Sequence, residues 1–511
     1  MPHASLTAAD VLLSPDALRA ADQAAADAGL PLSLLMEHAS RSIGEAVADL
    51  APTGNVHLLC GTGHNGGDGL GAARWLAANG RSVTVWLVPN HDLADPTRHQ
   101  LDLLRSIATL PGAEVRIEYA DTPDLQDASV VIDAMLGTGA KGEPRAPFDT
   151  WIRAANQTDT LRIAVDVPTG LDAQTGRAHD TCYRADHTLT LAARSPGLVL
   201  GEGPLWTGTT RVLPIGVPEA FLFNHADDTS AIQTSDEWAR DVLPSRTRGA
   251  HKFTAGSVVV IGGSDAYQGA PVISSLAAAA TGAGYVTCVV PANVAASART
   301  HLVAEVVRPA AGSPTHLSPD ALSELGDVLD RANAVVIGPG LGRHEETQQF
   351  VCDFIRQADV PLVIDADALF ALDTDFLASL PSGLRVLTPH AGEFERLTGE
   401  QPADDRIAQA RRWNKQLGAT LVLKGTPTVI ADIDGTCWVA PSAPTSLATA
   451  GSGDTLAGAI AALLASTAPH AAALAVHLGC RAAESLHDQM RPEAATALEL
   501  IEALRTLDLA R

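Results

Sequence analysis

The sequence predicts two α/β domains in one chain, the first of them a doubly wound parallel sheet. With 511 residues the chain exceeds what one hydrophobic core supports, so two or three domains are expected. In both halves, short β-branched strings alternate with helical stretches of ten or more residues, which is typical of parallel strands joined by crossover helices. Aromatic residues make up only 4%, while alanine and glycine are abundant, which favours helices packed closely on sheets.

The first half begins with a helical stretch at residues 16–50. A glycine-rich loop at 61–69 then follows a strand and opens a helical stretch at 70–79. The pattern loses its periodicity between residues 216 and 241, so the domain boundary is predicted there. The strand-like strings of this half are residues 56–60, 83–88, 115–119, 130–136 and 161–168.

The second half restarts the same alternation. An alanine-rich helix ends near Gly282, and an apolar helix begins at about Asp454. We find no internal repeat between the halves, so two different domains are predicted, at residues 14–221 and 232–508. The predicted strands of this half are residues 257–263, 285–291, 334–340, 361–367, 384–390, 419–425 and 428–432.

The formal net charge is −24, and the sequence contains no run of Lys or Arg. This charge argues against a polyanionic partner. A surface this acidic repels nucleic acid and anionic membranes, so an anionic small substrate would be held by backbone N–H groups. The six cysteines are scattered without a CxxC pair, which indicates reduced thiols. The sequence starts without a recognisable signal peptide, and Ser466, Pro469 and His470 interrupt the apolar run at 457–473. We therefore expect a soluble cytoplasmic protein with neither a nucleic-acid nor a membrane partner.

The glycine loop GTGHNGGDG at residues 61–69 has the composition of an anion-binding turn. Closely spaced glycines let backbone N–H groups approach a phosphate at a helix N-terminus. The spacing matches neither the dinucleotide fingerprint nor the P-loop. A turn needed only for packing remains the alternative, and the embedded Asn65 and Asp68 favour a binding function.

Polar side chains also follow two other strands of the first half. Asp133 is followed by GTG at 137–139, and Asp166 by PTG at 168–170. Ligands of open parallel sheets bind beyond the carboxyl ends of the strands, although one such aspartate is often only a turn cap. The oxygens of Asn, Asp and Thr side chains suit a simple cation better than a transition metal.

The segments HNGGDG, VIDAMLGTGAKGE and AVDVPTGLDAQTG resemble the YjeF N-terminal domain, an NAD(P)HX epimerase. The resemblance implies a potassium ion held by Asn65, Asp133 and Thr169, and proton transfer by Asp166. The family usually has Asn at the position of His64 and Ser at that of Thr169. The implied contacts to hydrated NAD(P)H are His64, Asn65, Gly66, Gly67, Asp68, Gly137, Thr138, Gly139, Ala140, Lys141, Gly142, Glu143 and Asp166.

In the second half, TAGSGDTLAG at residues 449–458 is the most informative motif. Gly451 and Gly453 precede Asp454 at a predicted helix start, so backbone amides would form an anion nest beside one carboxylate. This arrangement would stabilise a transferring phosphoryl group while the aspartate accepts a proton. A glycine turn with Asp454 as an ordinary helix cap is the alternative.

GSGD, with HKFTAG, GPGLG, TPHAGEFERL and LKGTPTV in this order, resembles the ribokinase-like superfamily and, within it, the ADP-dependent NAD(P)HX dehydratase or YjeF C-terminal domain. The resemblance implies Mg²⁺, ADP as co-substrate and Asp454 as the base. Phe253 and Ala450 stand where the family usually has Gly. The implied contacts to the hydrated cofactor are Ala270, Gly340, His390 and Asp454, and those to ADP are Lys424, Gly425, Thr426, Pro427, Thr428 and Gly453.

Together the two resemblances imply a bifunctional repair enzyme for NADHX and NADPHX, and a homo-oligomer. One half would interconvert the epimers, and the other would dehydrate the S epimer while ADP becomes AMP and phosphate. Three alternatives stay open from the sequence. The second half could be a small-molecule kinase, the first half could be a non-catalytic nucleotide-binding or scaffolding module, or the whole chain could be a regulator without turnover.

Overall fold

The computed structural model describes residues 6–89, 92–246, 248–249, 251–383, 385–442, 444–487 and 489–509. The predicted strand at 384–390 begins at Leu384, which lies outside the described residues. The chain divides into two compact units, Leu6–Ala231 and a second that begins at Ile232. Both are α/β, as predicted. Among the described residues, we find no helix with the length and apolar content that crossing a membrane requires.

The N-terminal unit is built on a parallel seven-stranded sheet of order β4-β3-β2-β5-β6-β7-β8. The strands of this sheet are β2 (Val56–Cys60), β3 (Val83–Leu87), β4 (Val115–Tyr119), β5 (Val130–Ala134), β6 (Leu161–Val165), β7 (His187–Leu191) and β8 (Thr209–Leu213). A short strand β1 (Val11–Leu12) precedes them in the chain and is not part of this sheet. Its helices are α1 (Pro15–Asp27), α2 (Leu32–Leu50), α3 (His64–Ala78), α4 (Asp95–Ala108), α5 (Phe148–Asn156), α6 (Gly203–Thr207) and α7 (Glu219–Asn224).

Three predictions for the N-terminal unit were wrong in detail. The helical stretch at 16–50 is two helices, because Gly29 adopts φ +99° and Pro31 caps α2. The glycine loop is shorter than predicted, since α3 begins at His64. Strands β7 and β8 were not predicted, because their sequences HTLTL and TTRVL are half polar and lie toward one edge of the sheet.

The C-terminal unit holds strands in the order β9-β18-β17-β16-β15-β14-β13-β10-β11-β12, and β17 is antiparallel to both its neighbours. The strands are β9 (Ala231–Gln233), β10 (Ser257–Ile261), β11 (Tyr285–Val290), β12 (Val306–Pro309), β13 (Ala334–Ile337), β14 (Leu362–Ile364), β15 (Arg385–Leu387), β16 (Thr420–Leu423), β17 (Val429–Ala431) and β18 (Cys437–Val439). The helices are α8 (Asp236–Val242), α9 (Ala270–Thr281), α10 (Ala292–His301), α11 (Gly326–Leu329), α12 (Glu345–Gln357), α13 (Asp367–Phe370), α14 (Thr374–Ala378), α15 (Ala391–Thr398), α16 (Arg406–Leu417), α17 (Ser452–Ala465), α18 (Ala471–Ser485) and α19 (Ala497–Thr506).

Helices α9 and α17 pack closely on each other in the C-terminal unit. A Cβ atom at Gly458 would overlap the carbonyl oxygen of Ser274, so this crossing requires glycine. The Ser274 hydroxyl donates a hydrogen bond to the carbonyl oxygen of Asp454 at 2.9 Å. The packing thereby fixes the first turn of α17, where the predicted anion nest lies.

The turn from β2 into α3 is equally tight. A Cβ at Gly66 would overlap the backbone carbonyl of Gly61, and a Cβ at Gly61 would overlap that of Met135 after β5. This stacking of backbone on backbone sets how closely the first turn of α3 approaches the end of β5. Because backbone cannot move aside as a flexible side chain can, the two glycines are required by geometry.

We predict that Gly66→Ala destabilises the N-terminal unit. Alanine would favour a helix interior by about 1 kcal/mol, but the overlap with Gly61 should cost about 2–3 kcal/mol. Denaturant unfolding of the full chain measures the difference. Gly139→Ala is the matched control, because a Cβ there would have only the tip of Arg19 within 4 Å. Equal unfolding midpoints for the two variants would contradict the prediction.

Candidate active sites

A cavity of about 490 Å³ opens in the N-terminal unit beyond the carboxyl ends of β2, β5 and β6. Parallel strands bring these ends to one edge of the sheet, and helices α1 and α2 supply the facing wall. Of the residues predicted for this site, eight line the cavity: His64, Asn65, Asp68, Gly137, Thr138, Gly139, Ala140 and Asp166. The other five, Gly66, Gly67, Lys141, Gly142 and Glu143, are not part of the lining.

Asp166 and the segment after β5 are fitted to each other. The backbone N–H of Thr138 donates to Asp166 Oδ2 at 3.0 Å. A Cβ at Gly137 would lie 2.8 Å from the same oxygen, so glycine allows the carboxyl group to approach. Asp166 itself adopts φ +68°, a conformation that L-residues other than Asn and Asp rarely take. Such strain is characteristic of functional positions.

Glu143 does not line the cavity and instead contacts residues of a neighbouring loop. Its Oε1 accepts a hydrogen bond from the backbone N–H of Thr181 at 2.9 Å, and its Oε2 lies 3.5 Å from His179 Nδ1. Gly66 and Gly67 serve the packing of α3, because a Cβ at Gly67 would lie 2.7 Å from Met36 Cε. These residues hold the walls of the cavity in place.

The three residues predicted to hold a cation lie at the ends of neighbouring elements. Asp133 accepts hydrogen bonds from the backbone N–H of Thr169 at 2.7 Å and from its hydroxyl at 2.8 Å. Asn65 donates to the carbonyl of Val165 at 3.3 Å, but its Oδ1 is buried without a hydrogen-bond partner among the described residues. An orphaned buried amide oxygen, a carboxylate and a hydroxyl are the kinds of ligand that fit a hard cation such as potassium.

Burial raises the pKa of several carboxyl groups in this unit. For Asp133 it raises the pKa to about 6, against hydrogen bonds from Thr169 and Met135 that lower it. Burial also raises the pKa of Asp166 and, together with the charges of Asp166 and Asp22, that of Asp68. Asp22 on α1 has its pKa raised to about 6 by burial and by Asp166. Sequence analysis assigned no role to Asp22, because this residue lies in a helical stretch far from the motifs.

A second cavity, of about 400 Å³, lies wholly in the C-terminal unit. The segment after β16 and the first turn of α17 form its polar side, and apolar residues of α18 and α19 form the rest. Of the residues predicted to bind ADP, Lys424, Gly425, Thr426, Thr428 and Gly453 line it. Pro427 does not, and its carbonyl accepts a hydrogen bond from Arg406 Nη1 at 2.9 Å. A mainly apolar cavity with one polar side suits a planar base joined to a phosphate.

Lys424 pairs with two acidic residues to which the sequence assigned no role. Its Nζ lies 3.0 Å from Asp365 Oδ1 and 3.7 Å from Glu393 Oε2. The Thr388 hydroxyl donates to the same Asp365 oxygen at 2.7 Å. Burial lowers the pKa of Lys424, but these acidic partners outweigh it and leave the pKa raised, so the ammonium group stays charged.

Asp454 lies in the first turn of α17. Burial and the charges of Asp365 and Asp367 raise its pKa to about 7, although the charge of Lys424 lowers it. A Cβ at the preceding Gly453 would lie 3.5 Å from Lys424 Nζ, so the turn passes close to the lysine. A carboxyl group with this pKa can accept a proton near neutral pH.

Of the residues predicted to contact the hydrated cofactor in the C-terminal unit, Gly340 and Ala270 lie close together, and His390 lies at the start of α15. Gly340 adopts φ +64°, and a Cβ there would lie 2.7 Å from the Tyr267 carbonyl and 3.1 Å from the Ala270 Cβ. His390 caps α15, where its Nδ1 accepts from the backbone N–H groups of Gly392 at 3.0 Å and Glu393 at 3.3 Å. Its side chain is nevertheless 60% exposed, and the other ring nitrogen, Nε2, lies 3.4 Å from Glu393 Oε1. His390 therefore has a structural role whatever it binds.

The fold and the two cavities define a two-unit α/β protein, with a carboxyl-lined pocket in one unit and an anion-nest pocket in the other. Comparisons with known families agree with this division. Residues 33–197 match the model of the YjeF-related protein N-terminus, and residues 258–506 match that of NAD(P)H-hydrate dehydratase.

Curated relatives extend this match over nearly the whole chain. The bifunctional NAD(P)H-hydrate repair enzyme of Salinibacter ruber is 37% identical over 96% of this chain and 95% of its own length. That of Pyrobaculum aerophilum is 36% identical over 95% of each. The chain therefore belongs to the family of bifunctional NAD(P)H-hydrate repair enzymes. Among solved structures, the ADP/ATP-dependent NAD(P)H-hydrate dehydratase of Bacillus subtilis, co-crystallised with ATP and Mg²⁺, is 32% identical over 53% of this chain and 95% of its own, with a TM-score of 0.44.

We predict that Asp454→Asn stabilises the C-terminal unit at alkaline pH. The folded-state pKa of about 7 exceeds the ordinary aspartate pKa of 3.8, so this carboxyl group reduces stability progressively as pH rises from about 4 to 7. Asparagine removes that penalty. The difference between the unfolding midpoints of variant and wild type should therefore grow between pH 5 and pH 8.

Asp359→Asn, in an exposed loop of the same unit, is the matched control. Its unfolding midpoint should follow that of the wild type at both pH values, because water hydrates the side chain before and after unfolding. A pH-independent difference for Asp454→Asn would mean that its carboxyl group is not desolvated.

Proposed function

We propose that the chain repairs hydrated nicotinamide cofactors with both units. The N-terminal unit interconverts the R and S epimers of NADHX and NADPHX. The C-terminal unit dehydrates the S epimer to NAD(P)H, while ADP is converted to AMP and phosphate. The observation that carries the proposal is the partly buried Asp454 in the first turn of α17, whose pKa the charge of Lys424 lowers, in a chain whose named relatives match both units.

In the dehydration, hydroxide is a poor leaving group, so the ring hydroxyl is phosphorylated first. The oxygen of the ring hydroxyl attacks the terminal phosphorus of ADP while Asp454 accepts the hydroxyl proton, and AMP departs. The ring nitrogen then expels phosphate with the C–O bonding pair, and loss of a proton from the neighbouring carbon restores the reduced ring. Mg²⁺, when bound, would offset charge on the phosphates.

The residues of the second cavity fit the ADP end of this reaction. Lys424 carries a positive charge that its acidic partners maintain, and the amide of Gly453 stands at a helix N-terminus. The loop from Lys424 to Thr428 would follow the phosphates, with Pro427 fixing its course. Ala270, Gly340 and His390 would contact the hydrated cofactor. Asp365 acts through Lys424, by holding the ammonium group in place.

In the epimerisation, the ring nitrogen expels water from the hydrated carbon, and water returns to either face. Asp166 supplies and removes the proton. Asn65, Asp133 and Thr169 would hold a potassium ion that fixes the cofactor-binding segments. Six cavity residues, His64, Asp68, Gly137, Thr138, Gly139 and Ala140, would contact the substrate, and the neighbouring Gly66, Gly67, Lys141, Gly142 and Glu143 would complete its binding segments.

We further propose that residues 14–221 and 232–508 are the two catalytic domains and that the protein acts in the cytoplasm as a homo-oligomer. The free thiols of all six cysteines suit a reducing compartment. The net charge of −24 argues against nucleic acid as a partner.

The first test is to add purified protein to a mixture of both NADHX epimers and follow the return of NADH absorbance. With ADP and Mg²⁺, recovery should be complete, because the epimerase converts the epimer that the dehydratase rejects. Spontaneous epimerisation is measured without protein and subtracted. Absence of recovery with either ADP or ATP would refute the dehydratase and favour a small-molecule kinase or a regulator.

Two substitutions should separate the activities. Asp454→Asn should reduce dehydration about 100-fold or more while epimerisation persists, and Asp166→Asn should do the reverse, because each removes one proton-transferring group. Wild-type dehydration should increase as pH rises through about 7, since only the ionised Asp454 accepts a proton. Chiral separation of the epimers and NADH absorbance measure the two rates. Either variant retaining its own reaction at the wild-type rate would disprove the role assigned to that residue.

A further inference from the structure

Helix α1 brings two ionisable side chains to the N-terminal cavity, one turn apart. Arg19 and Asp22 both line it, together with the other ionisable groups His64, Asp68 and Asp166. Arg19 pairs with Asp16 at the exposed side of the helix. Asp22 therefore reaches the cavity from α1, whereas Asp166 reaches it from the end of β6. The two carboxyl groups belong to different walls of one pocket.

We propose that Asp22 is the second proton-transferring residue of the epimerisation, acting in partnership with Asp166. This rests on the epimerase function proposed above. Epimerisation by loss and return of water needs two proton transfers, one to the departing hydroxyl and one from the entering water. When these occur on opposite faces of a ring, a single carboxyl group cannot reach both oxygens without moving. Groups on two walls of the pocket satisfy the requirement.

The step balances with these two residues alone. One carboxyl group, protonated, gives its proton to the ring hydroxyl; the C–O bond breaks with its electron pair on oxygen, and the nitrogen lone pair forms the iminium bond. Water then attacks the other face, and its proton passes to the other residue, an ionised carboxylate. The net reaction inverts one carbon. The proton has moved from one aspartate to the other, and exchange with solvent or a turnover in the reverse direction restores it.

The electrostatics of the cavity support a pair that shares one proton. Burial and the charge of Asp166 raise the pKa of Asp22 to about 6. Two carboxylates in one desolvated pocket resist ionising together, as in other carboxyl pairs. Burial and the charges of Asp166 and Asp22 raise the pKa of Asp68, so this third carboxyl group favours its neutral form. The Arg19 side chain, which also lines the cavity, pairs with Asp16. The pocket therefore favours one acid and one base at the same time.

Asp22 suits the second role better than Asp68 does. Asp68 is only 8% exposed and lies within the second turn of α3, enclosed by α2. Asp22 is partly exposed, so it can exchange its proton with solvent between turnovers. Asn65 also lines this pocket, and its buried Oδ1 lacks a partner among the described residues, which independently indicates that the pocket is built to hold a ligand.

The test uses the full chain with Asp22→Asn, Asp22→Glu and, as the matched control, Asp27→Asn at the exposed end of the same helix. Asp22→Asn should lower kcat for epimerisation about 100-fold with little change in KM, because it removes proton transfer but keeps the side-chain shape. Asp22→Glu should recover part of the rate. Asp27→Asn should match wild type, and ADP-dependent dehydration of the S epimer should be unchanged in all three.

The pH profile distinguishes a chemical role from a structural one. Wild-type epimerisation should give a bell-shaped profile with one limb near pH 6, and Asp22→Asn should lack that limb. Epimerisation by wild type in H₂¹⁸O should place the label in the ring hydroxyl. Thermal unfolding shows whether each variant is folded, and should Asp22→Asn fail to fold, the rate and pH profile of Asp22→Glu still decide the role of Asp22.

The outcomes separate this proposal from the function on which it rests. If wild type does not epimerise NADHX, the proposed function itself fails. If wild type epimerises and Asp22→Asn keeps its rate or the limb near pH 6, Asp22 is not a proton-transferring residue although the epimerase function stands. Absence of ¹⁸O in the ring hydroxyl would overturn the loss and return of water, and with it the need for a second group.

Discussion

Desolvation of carboxyl groups at the ends of parallel strands is the constraint around which both sites are arranged. A buried carboxylate is tolerated only when hydrogen bonds or a cation compensate its charge. In the N-terminal unit, Asp133 near the end of β5 is compensated by the backbone and hydroxyl of Thr169. In the C-terminal unit, Asp365 after β14 is compensated by Lys424 and Thr388. In each unit, the nearest hydrogen-bond donors and charged groups therefore stabilise one particular carboxylate.

The consequence is that a second carboxyl group in each unit is left poorly compensated. Asp166 receives one backbone hydrogen bond, from Thr138, and Asp454 faces the charge of Asp365 with only Lys424 opposing it. Burial is the main cause that raises the pKa of both, and in Asp133 it outweighs even the hydrogen bonds from Thr169 and Met135. The same physical arrangement has therefore been reached on two different sheets, one entirely parallel and one with an antiparallel strand. What distinguishes the sites is the cation, since Lys424 lies beside the carboxyl groups of only the second.

Sequence reasoning succeeded where local pattern and sheet geometry coincide. The Val- and Ile-rich strands β2, β5 and β6 were predicted. The edge rule for parallel strands predicted that Asn65, Asp133 and Asp166 would meet, and of these Asn65 and Asp166 line one cavity, whereas Asp133 is not part of its lining. It did not predict the start of α3 at His64, because glycines disfavour helix and only close backbone packing reverses that preference. Asp22 was missed for a different reason. Its partner Asp166 lies far away along the chain, and nothing in a helical repeat indicates which polar residue will face a cavity.

The two raised pKa values also link the activities through pH. In the mechanism proposed for dehydration, Asp454 must be ionised to accept a proton, so dehydration is favoured above its pKa of about 7. A carboxyl pair that shares one proton needs the opposite, because epimerisation slows once both Asp166 and Asp22 are ionised. The epimerase supplies the epimer that the dehydratase consumes, so the slower reaction limits the overall rate at each pH. A reaction becomes the slower one when its proton-transferring carboxyl groups are in the wrong protonation state. A chain carrying both sites should therefore work best in the narrow interval where Asp454 has begun to ionise and the pair still retains its proton, which lies close to neutral pH.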